Sequence, residues 1–359
     1  MTRSTVLKWC FLTAMLVGLP MLGIVLAGLP VERYLEFPPI TRYVDHAPFS
    51  WPAFFAYLVF IAVMTLPFWV IWSRHFSKEA VRKRPLYPFP IWGWGGVILG
   101  GTSWGLAWTR FAWFESLQPH TFTPLWLSYI IVINALTYRK TGRCLMCDRP
   151  ALFLLLFPFS AVFWWFFEYL NRFVQNWYYS GSVYGPTTYF ILASLSFSTV
   201  LPAVASTRDW VLTMDNVCRP FARVKPVHNP CPKLAAILLL IVSAAGLTGI
   251  GVFPDLLFPL LWVSPLLIIV SFQVLFKESH VLTPFSKGDL RPVVSAALAA
   301  LICGVFWEMW NWYSLARWEY AVPLVHRFQI FEMPILGYAG YLPFGLECAA
   351  VVELLGIKR

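Results

Sequence analysis

Charge is what this chain has least of: only 12% of its 359 residues are Asp, Glu, Lys or Arg, where soluble domains carry about a quarter. Acids are the scarcer kind, 17 against 27 basic residues. Also missing are a phosphate-binding glycine loop and an H-E-x-x-H, so soluble-type ATP or zinc-hydrolase chemistry is disfavoured. What fills the chain instead is 59% hydrophobic and 18% aromatic residues, the composition of an integral membrane protein.

Continuous apolar runs of roughly 20 residues mean helices, since helices and closed barrels alone satisfy the backbone in lipid. We expect an all-α, polytopic transmembrane bundle of about ten spans, at 7 to 28, 51 to 73, 90 to 109, 124 to 138, 151 to 170, 187 to 206, 234 to 252, 256 to 276, 292 to 313 and 333 to 355. The first run is longer than a signal-peptide core and has no clear small-x-small site, so it is read as a retained span.

A net charge of +10 invites a nucleic-acid partner, but the basic residues alternate between loops in the manner of a topology signal. Arg3 and Lys8 precede the first span. Arg74, Lys78, Arg82, Lys83 and Arg84 follow the second, and Arg139, Lys140, Arg143 and Arg149 follow the fourth. Arg208, Arg219, Arg223, Lys225 and Lys233 follow the sixth, Lys277, Lys287 and Arg291 the eighth, and Lys358 and Arg359 the tenth. The expectation is a cell (inner) membrane protein with both termini cytoplasmic, and no nucleic acid among its partners.

Against this apolar background, FWEMWNWYSLARWEY at 306 to 320 places Glu308 and Asn311 in a wall of aromatics. FFEYLNRFVQNWYY at 166 to 179 repeats it: Glu168 pairs with Glu308, Asn171 with Asn311, Trp177 with Trp318 and Tyr179 with Tyr320. Trp126-x-Ser128 matches Trp262-x-Ser264, and Leu201-Pro202 matches Leu342-Pro343. The expected organisation is a leading helix pair with a basic loop (1–89) and two four-helix repeats (90–206 and 234–359) joined by a cytoplasmic linker (207–233). An even number of spans per unit makes the copies parallel in the membrane. The two prolines are expected to kink their spans.

An intramembrane glutamate is costly unless paired, protonated or open to a wet cavity, and its asparagine three residues on shares its helix face. Glu168 has Arg172 one turn away, which suggests an internal ion pair. Glu308 has Trp312 there instead, so burial favours its neutral form, an acid able to donate a proton. Glu347 is a third intramembrane acid, and Glu332 stands at the outer end of the last span. Glu308 and Glu347 are the candidate catalytic residues; Glu168, Asn171, Trp177, Trp307, Asn311, Trp318 and Glu332 are the candidate substrate-binding residues. Carboxylates that merely fasten helices together are the plainer reading.

Four further features carry less. Cys144, Cys147, Cys218 and Cys231 fall in inner loops, where thiolates suit zinc or an iron–sulfur cluster and reduced, unligated thiols are the plainer reading. The glycines of span three, Gly95 to Gly105, include a G-x-x-x-G spacing for close helix packing. Arg110, Glu115 and His120 rim its outer end. The outer loop between the first two spans, with Pro38-Pro39 and several aromatics, reads as an ordered interfacial segment. No cofactor is named by the sequence.

The succession Trp307-Glu308, Trp318, Tyr320, then Pro343 to Glu347 loosely resembles the small integral-membrane lycopene cyclases of carotenoid synthesis, over about 40 residues per copy; as a whole the chain resembles bacterial multipass membrane proteins. The resemblance implies a duplicated helical unit around a lipid-filled cavity, Glu308 or Glu347 as proton donor to a polyene end, and tryptophan faces stabilising the cation. The function expected is that of a membrane protein binding or acting on an isoprenoid- or carotenoid-like lipid through an intramembrane Glu, its partner a membrane lipid. A transporter or channel for a small solute or protons, and a structural protein without chemistry, are the alternatives.

Overall fold

The computed structural model describes residues 3–76, 85–181 and 183–355. Lys78, Arg82, Lys83, Arg84, Lys358 and Arg359 of the charge pattern lie outside the described residues. The architecture is all-helical apart from two short ribbons. Its long helices are α1 (Arg3–Leu26), α2 (Trp51–His75), α3 (Ile91–Trp108), α4 (Phe122–Thr141), α5 (Pro150–Val174), α6 (Pro186–Phe197) and α7 (Val200–Leu212) in the first part. The second part holds α8 (Pro232–Gly249), α9 (Leu260–Leu275), α10 (Arg291–Trp312) and α11 (Tyr341–Leu354).

Among the described residues seven helical segments are long and apolar enough to cross a membrane, or eight if the bent pair Ala112–His120 and Phe122–Thr141 counts as one span. The protein is therefore a multipass membrane protein. The expected spans 90–109 and 256–276 are also helical, but the glycine-rich α3 is not among those segments and α9 is a shorter apolar helix. Each proline lies just after an interruption of its span. Pro202 and Pro343 are each the third residue of their helix, α7 or α11, where the missing N–H has no intrahelical acceptor to lose. The sixth segment breaks at Ser198 and Thr199, and the last opens with a 3-10 stretch, Ile335–Gly340.

Helix α10 is the most buried span and packs on α7 and α11; α8 lies on α9 and α1, and α4 on α3 and α7. Where close approach is needed a glycine supplies it: a Cβ at Gly345 of α11 would run into the Ala296 carbonyl of α10. At one face Lys8 bonds both Glu278 carboxylate oxygens at 2.7 and 2.8 Å, tying the start of α1 to the end of α9.

At the opposite face the chain between α1 and α2 runs as an extended strap from about residue 36 to 50. The Arg42 amide donates to the Gln175 side chain (2.9 Å), His46 bonds Asp255 (2.6 Å) and the Ser50 amide donates to the Leu324 carbonyl (2.8 Å). Beneath it, β1 (Trp177–Ser180) pairs antiparallel with β2 (Arg317–Tyr320), placing Trp177 opposite Tyr320 and Tyr179 opposite Trp318. A second small hairpin joins β3 (Gln329–Ile330) to β4 (Met333–Pro334).

Helix α2 differs from the rest. Ser50 caps it and Pro52 sits in its first turn, yet only 6% of its spanning window is buried. It is held at its two ends. Phe54 meets Phe328 at 5.7 Å near one, and near the other the Trp72 indole donates to the Asn216 carbonyl at 3.1 Å while Phe68 lies 6.4 Å from Phe221.

Candidate functional site

Helices α5 and α10 each carry their acid in the final two turns and then pass directly into the ribbon. The asparagine one turn after the acid makes that transition. The Asn171 carboxamide donates to the Trp177 carbonyl (2.8 Å) and accepts the Asn176 amide (2.8 Å); Asn311 donates to the Trp318 carbonyl (2.7 Å) and accepts the Trp318 amide (2.9 Å). Both asparagines thus clamp backbone to helix end instead of facing a ligand.

The clamp swings strand side chains back over the acid. Glu168 Oε1 accepts three hydrogen bonds, from the Trp164 indole (3.0 Å), the Trp177 indole (3.0 Å) and the Tyr179 hydroxyl (2.6 Å). Glu308 Oε1 accepts two, both phenolic, from Tyr320 and Tyr341 at 2.7 Å each, and the Trp318 indole backs Tyr320 at 2.9 Å. Both carboxyls are wholly buried, and in each the second oxygen has no partner among the described residues. Burial pushes the Tyr179 and Tyr320 phenols well above their usual range, so both stand as neutral donors.

The expected ion pair within α5 does not form. Arg172 turns to the surface strap and donates to the Glu36 carbonyl at 2.6 Å, while Glu168 takes its hydrogen bonds from the two indoles and the phenol.

The two acid sites are packed against each other's halves. Trp126 of α4 lies 4.8 Å from Trp307, beside Glu308; Trp262 of α9 lies 5.1 Å from Phe167, beside Glu168. Trp262 also meets Trp177 at 5.5 Å, and Phe344 of α11 contacts Phe163, Trp164, Phe167 and Trp307. This aromatic cluster has little freedom to rearrange.

On one side the cluster forms the wall of a cavity of about 1680 Å³ that lies behind α2 and extends toward both faces. Trp177, Trp307 and Trp318 of the candidate residues line it, with Trp164, Tyr179, Tyr320 and Tyr341. Glu168, Glu308, Asn171 and Asn311 stand one layer behind. Glu347 is 1% exposed, has an oxygen with no partner among the described residues, and is not in the wall, although Pro343 and Leu346 are. Glu332 occupies the β3–β4 turn, away from the acids' hydrogen bonds.

Trp164 and Tyr341 escaped the sequence reading. Trp164 has a signal, its position one turn before Glu168. Tyr341 has none within its own segment: it reaches Glu308 because Gly304, one turn before that acid, leaves the space, and a Cβ at Gly304 would overlap the Tyr341 ring.

The Cys144 and Cys147 thiols lie beside each other, but the four loop cysteines form no single cluster. Among the described residues no group of three or more His, Cys, Asp or Glu side chains is placed to hold an ion. The Cys218 thiol bonds the Val211 carbonyl at 3.3 Å, and burial pushes it up to about 11; burial likewise raises Cys144. Thiols held protonated are poor metal ligands.

No protein-family model matches the chain, and neither the curated proteins nor the solved structures include a match to it.

Proposed function

We propose that the protein holds an elongated, isoprenoid-type lipid in the cavity behind α2, and that Glu308 is the acid acting on it through Tyr320 and Tyr341. One observation carries this reading: phenols bonded to a buried carboxyl form the wall of an apolar cavity larger than the 300–1,000 Å³ of ordinary small-ligand sites. Glu308 has no cation bonded to it, so its resting form here is the neutral acid.

In the protonation step, a wall phenol gives its proton to a terminal alkene carbon, whose π pair forms the new C–H bond. The Glu308 carboxyl proton refills the phenol, leaving a carboxylate. The carbocation is stabilised by the faces of Trp307 and Trp318. Attack by a second double bond and return of a proton through the phenol to Glu308 complete an isomerisation with no other reagent. This is the chemistry that the resemblance to lycopene cyclases implies. Glu347, outside the wall, is not part of it.

The same reading takes the chain as a duplicated four-helix unit after a leading pair, ten helices in all, in the inner membrane with cytoplasmic termini. The matched asparagine clamps, the reciprocal Trp126–Trp307 and Trp262–Phe167 contacts, and a ribbon register that sets each strand's Trp opposite the other's Tyr support a two-fold axis along the membrane normal.

The test is to purify wild type and Glu308→Gln in mild detergent, record absorption spectra and extract for mass spectrometry. The expected result is a bound polyene or prenyl lipid in both, with its chemical conversion reduced about 100-fold or more in the variant, the range of a lost general acid. Protein free of lipid in both preparations would overturn the reading in favour of solute or proton transport, measurable as flux in liposomes.

A further inference from the structure

The two mouths of the cavity are not alike. At the ribbon end the available cation, Arg317, is paired with Glu319 at 3.1 Å, Glu319 also takes the Ser180 hydroxyl at 2.8 Å, and His120 stacks on Tyr184. At the other end the lining includes Lys225 and Asn229 from one loop and His280 and Ser286 from another. These loops are laced by backbone bonds, the Val224 amide to the Gly288 carbonyl (2.8 Å) and the Val227 amide to the Phe285 carbonyl (3.0 Å). Lys225 has no ion pair among the described residues, and the buried His280 Nδ1 has no partner. The nearby acids are already engaged, Asp289 by Arg291 at 2.7 Å and Glu278 by Lys8 at 2.7 Å. Burial lowers His280 below its ordinary range, which favours its neutral form at the mouth that Lys225 also lines. From this mouth to the aromatic wall the lining is aliphatic, with Val270, Val274, Val294 and Ala297.

Resting on the lipid reading above, we infer that the ligand is amphipathic: a phosphate-type anionic head binds at Lys225, His280 and Asn229, and its apolar chain runs along α9 and α10 to the acids. An unpaired ammonium, a free imidazole nitrogen and an amide at one end of an otherwise apolar channel match one anionic head and one hydrocarbon tail. A wholly apolar hydrocarbon would leave the ammonium and the imidazole nitrogen without a partner on the ligand.

The experiment uses the full chain in uncharged phosphatidylcholine nanodiscs and equilibrium dialysis with three labelled probes: farnesyl phosphate, farnesol and inorganic phosphate. Farnesyl phosphate is expected to bind about 10-fold more tightly than farnesol, the effect of one charge-assisted contact. Lys225→Gln with His280→Ala should erase that difference while farnesol binding stays unchanged, which also reports that the variant is folded. Equal binding of farnesyl phosphate and farnesol to wild type overturns the head-group site and leaves the apolar cavity standing. Inorganic phosphate binding as tightly as farnesyl phosphate overturns it in favour of a free-anion site. Binding of none of the three overturns the lipid reading as well.

Discussion

Glu168 and Glu308 sit at matched positions on α5 and α10, behind matched asparagine clamps, and differ in what holds them. Two of the three donors on Glu168 are indoles, and an indole N–H can only donate. Both donors on Glu308 are hydroxyls, which donate and accept and so can pass a proton on. Part of the difference traces to one position: Trp164 fills the turn before Glu168, whereas Gly304 leaves that turn open for the Tyr341 ring; the rest lies in the strand, where Trp177 bonds its acid and Trp318 bonds Tyr320 instead. A carboxylate fixed by indoles suits fastening, and one fixed by phenols suits proton transfer.

The comparison is broken most directly at Glu168. Glu168→Leu leaves three buried donors without an acceptor, and at about 1 to 3 kcal/mol for each the expected loss is about 3 kcal/mol or more, read as a fall in thermal or denaturant midpoint. Glu308→Leu, orphaning two hydroxyls, should cost less; an equal or larger cost would mean that the second site is the fastener. Gly304→Ala overpacks the α10–α11 contact by about 1 to 3 kcal/mol and displaces Tyr341, so lipid conversion should fall with it, while Gly304 replacement leaving conversion intact would remove Tyr341 from the relay. Asn171→Ala and Asn311→Ala should each cost about 1 to 2 kcal/mol and free the strand behind, seen as faster amide exchange in 177–180 or 317–320.

The smallest effect lies on the ribbon between the two sites. Tyr178, then Ser180 and Arg317, hold the Glu319 carboxyl below the usual carboxylate range against some burial. A depressed folded-state value means that this contribution is fully present above the unfolded carboxylate value of about 4.3 and is lost as pH falls through the folded one. Unfolding midpoints should therefore drop on acidification below about pH 4.3, and Glu319→Gln should flatten that drop. An unchanged slope in the variant would assign it to other carboxylates.

Much of this was legible because lipid imposes simple rules. A long apolar run must be helical, and the Glu–x–x–Asn spacing with its following Trp and Tyr marked both sites and three of the wall residues, Trp177, Trp307 and Trp318. What was hidden depends on distance through space. Arg172 lies one turn from Glu168, yet an outer carbonyl from residue 36 competes for it and the acid prefers donors that arrive from the strand. Tyr341 comes from 33 residues beyond Glu308 through a gap that only Gly304 permits. The cysteines shared a side of the membrane in the sequence reading, but the folded loops bring no three of them into one group. Pro202 and Pro343 marked where their spans are interrupted, but a sequence does not show that a new helix begins two residues before each of them.

Helix α2 has one further consequence. Its middle, around Phe60 and Met64, faces a cavity and not a packed neighbour, so apolar burial against protein contributes little to keeping it in place; hydrocarbon on either side is equivalent surroundings. The helix is a beam supported at its two bearings, Ser50–Phe54 above and Phe68–Trp72 below. On the lipid reading proposed above, such a member would be the part of the cavity wall that yields to an entering hydrocarbon chain, with the aromatic wall behind it packed tight. The stiffness of the site and the pliancy of its entrance are in this way assigned to separate parts of one fold.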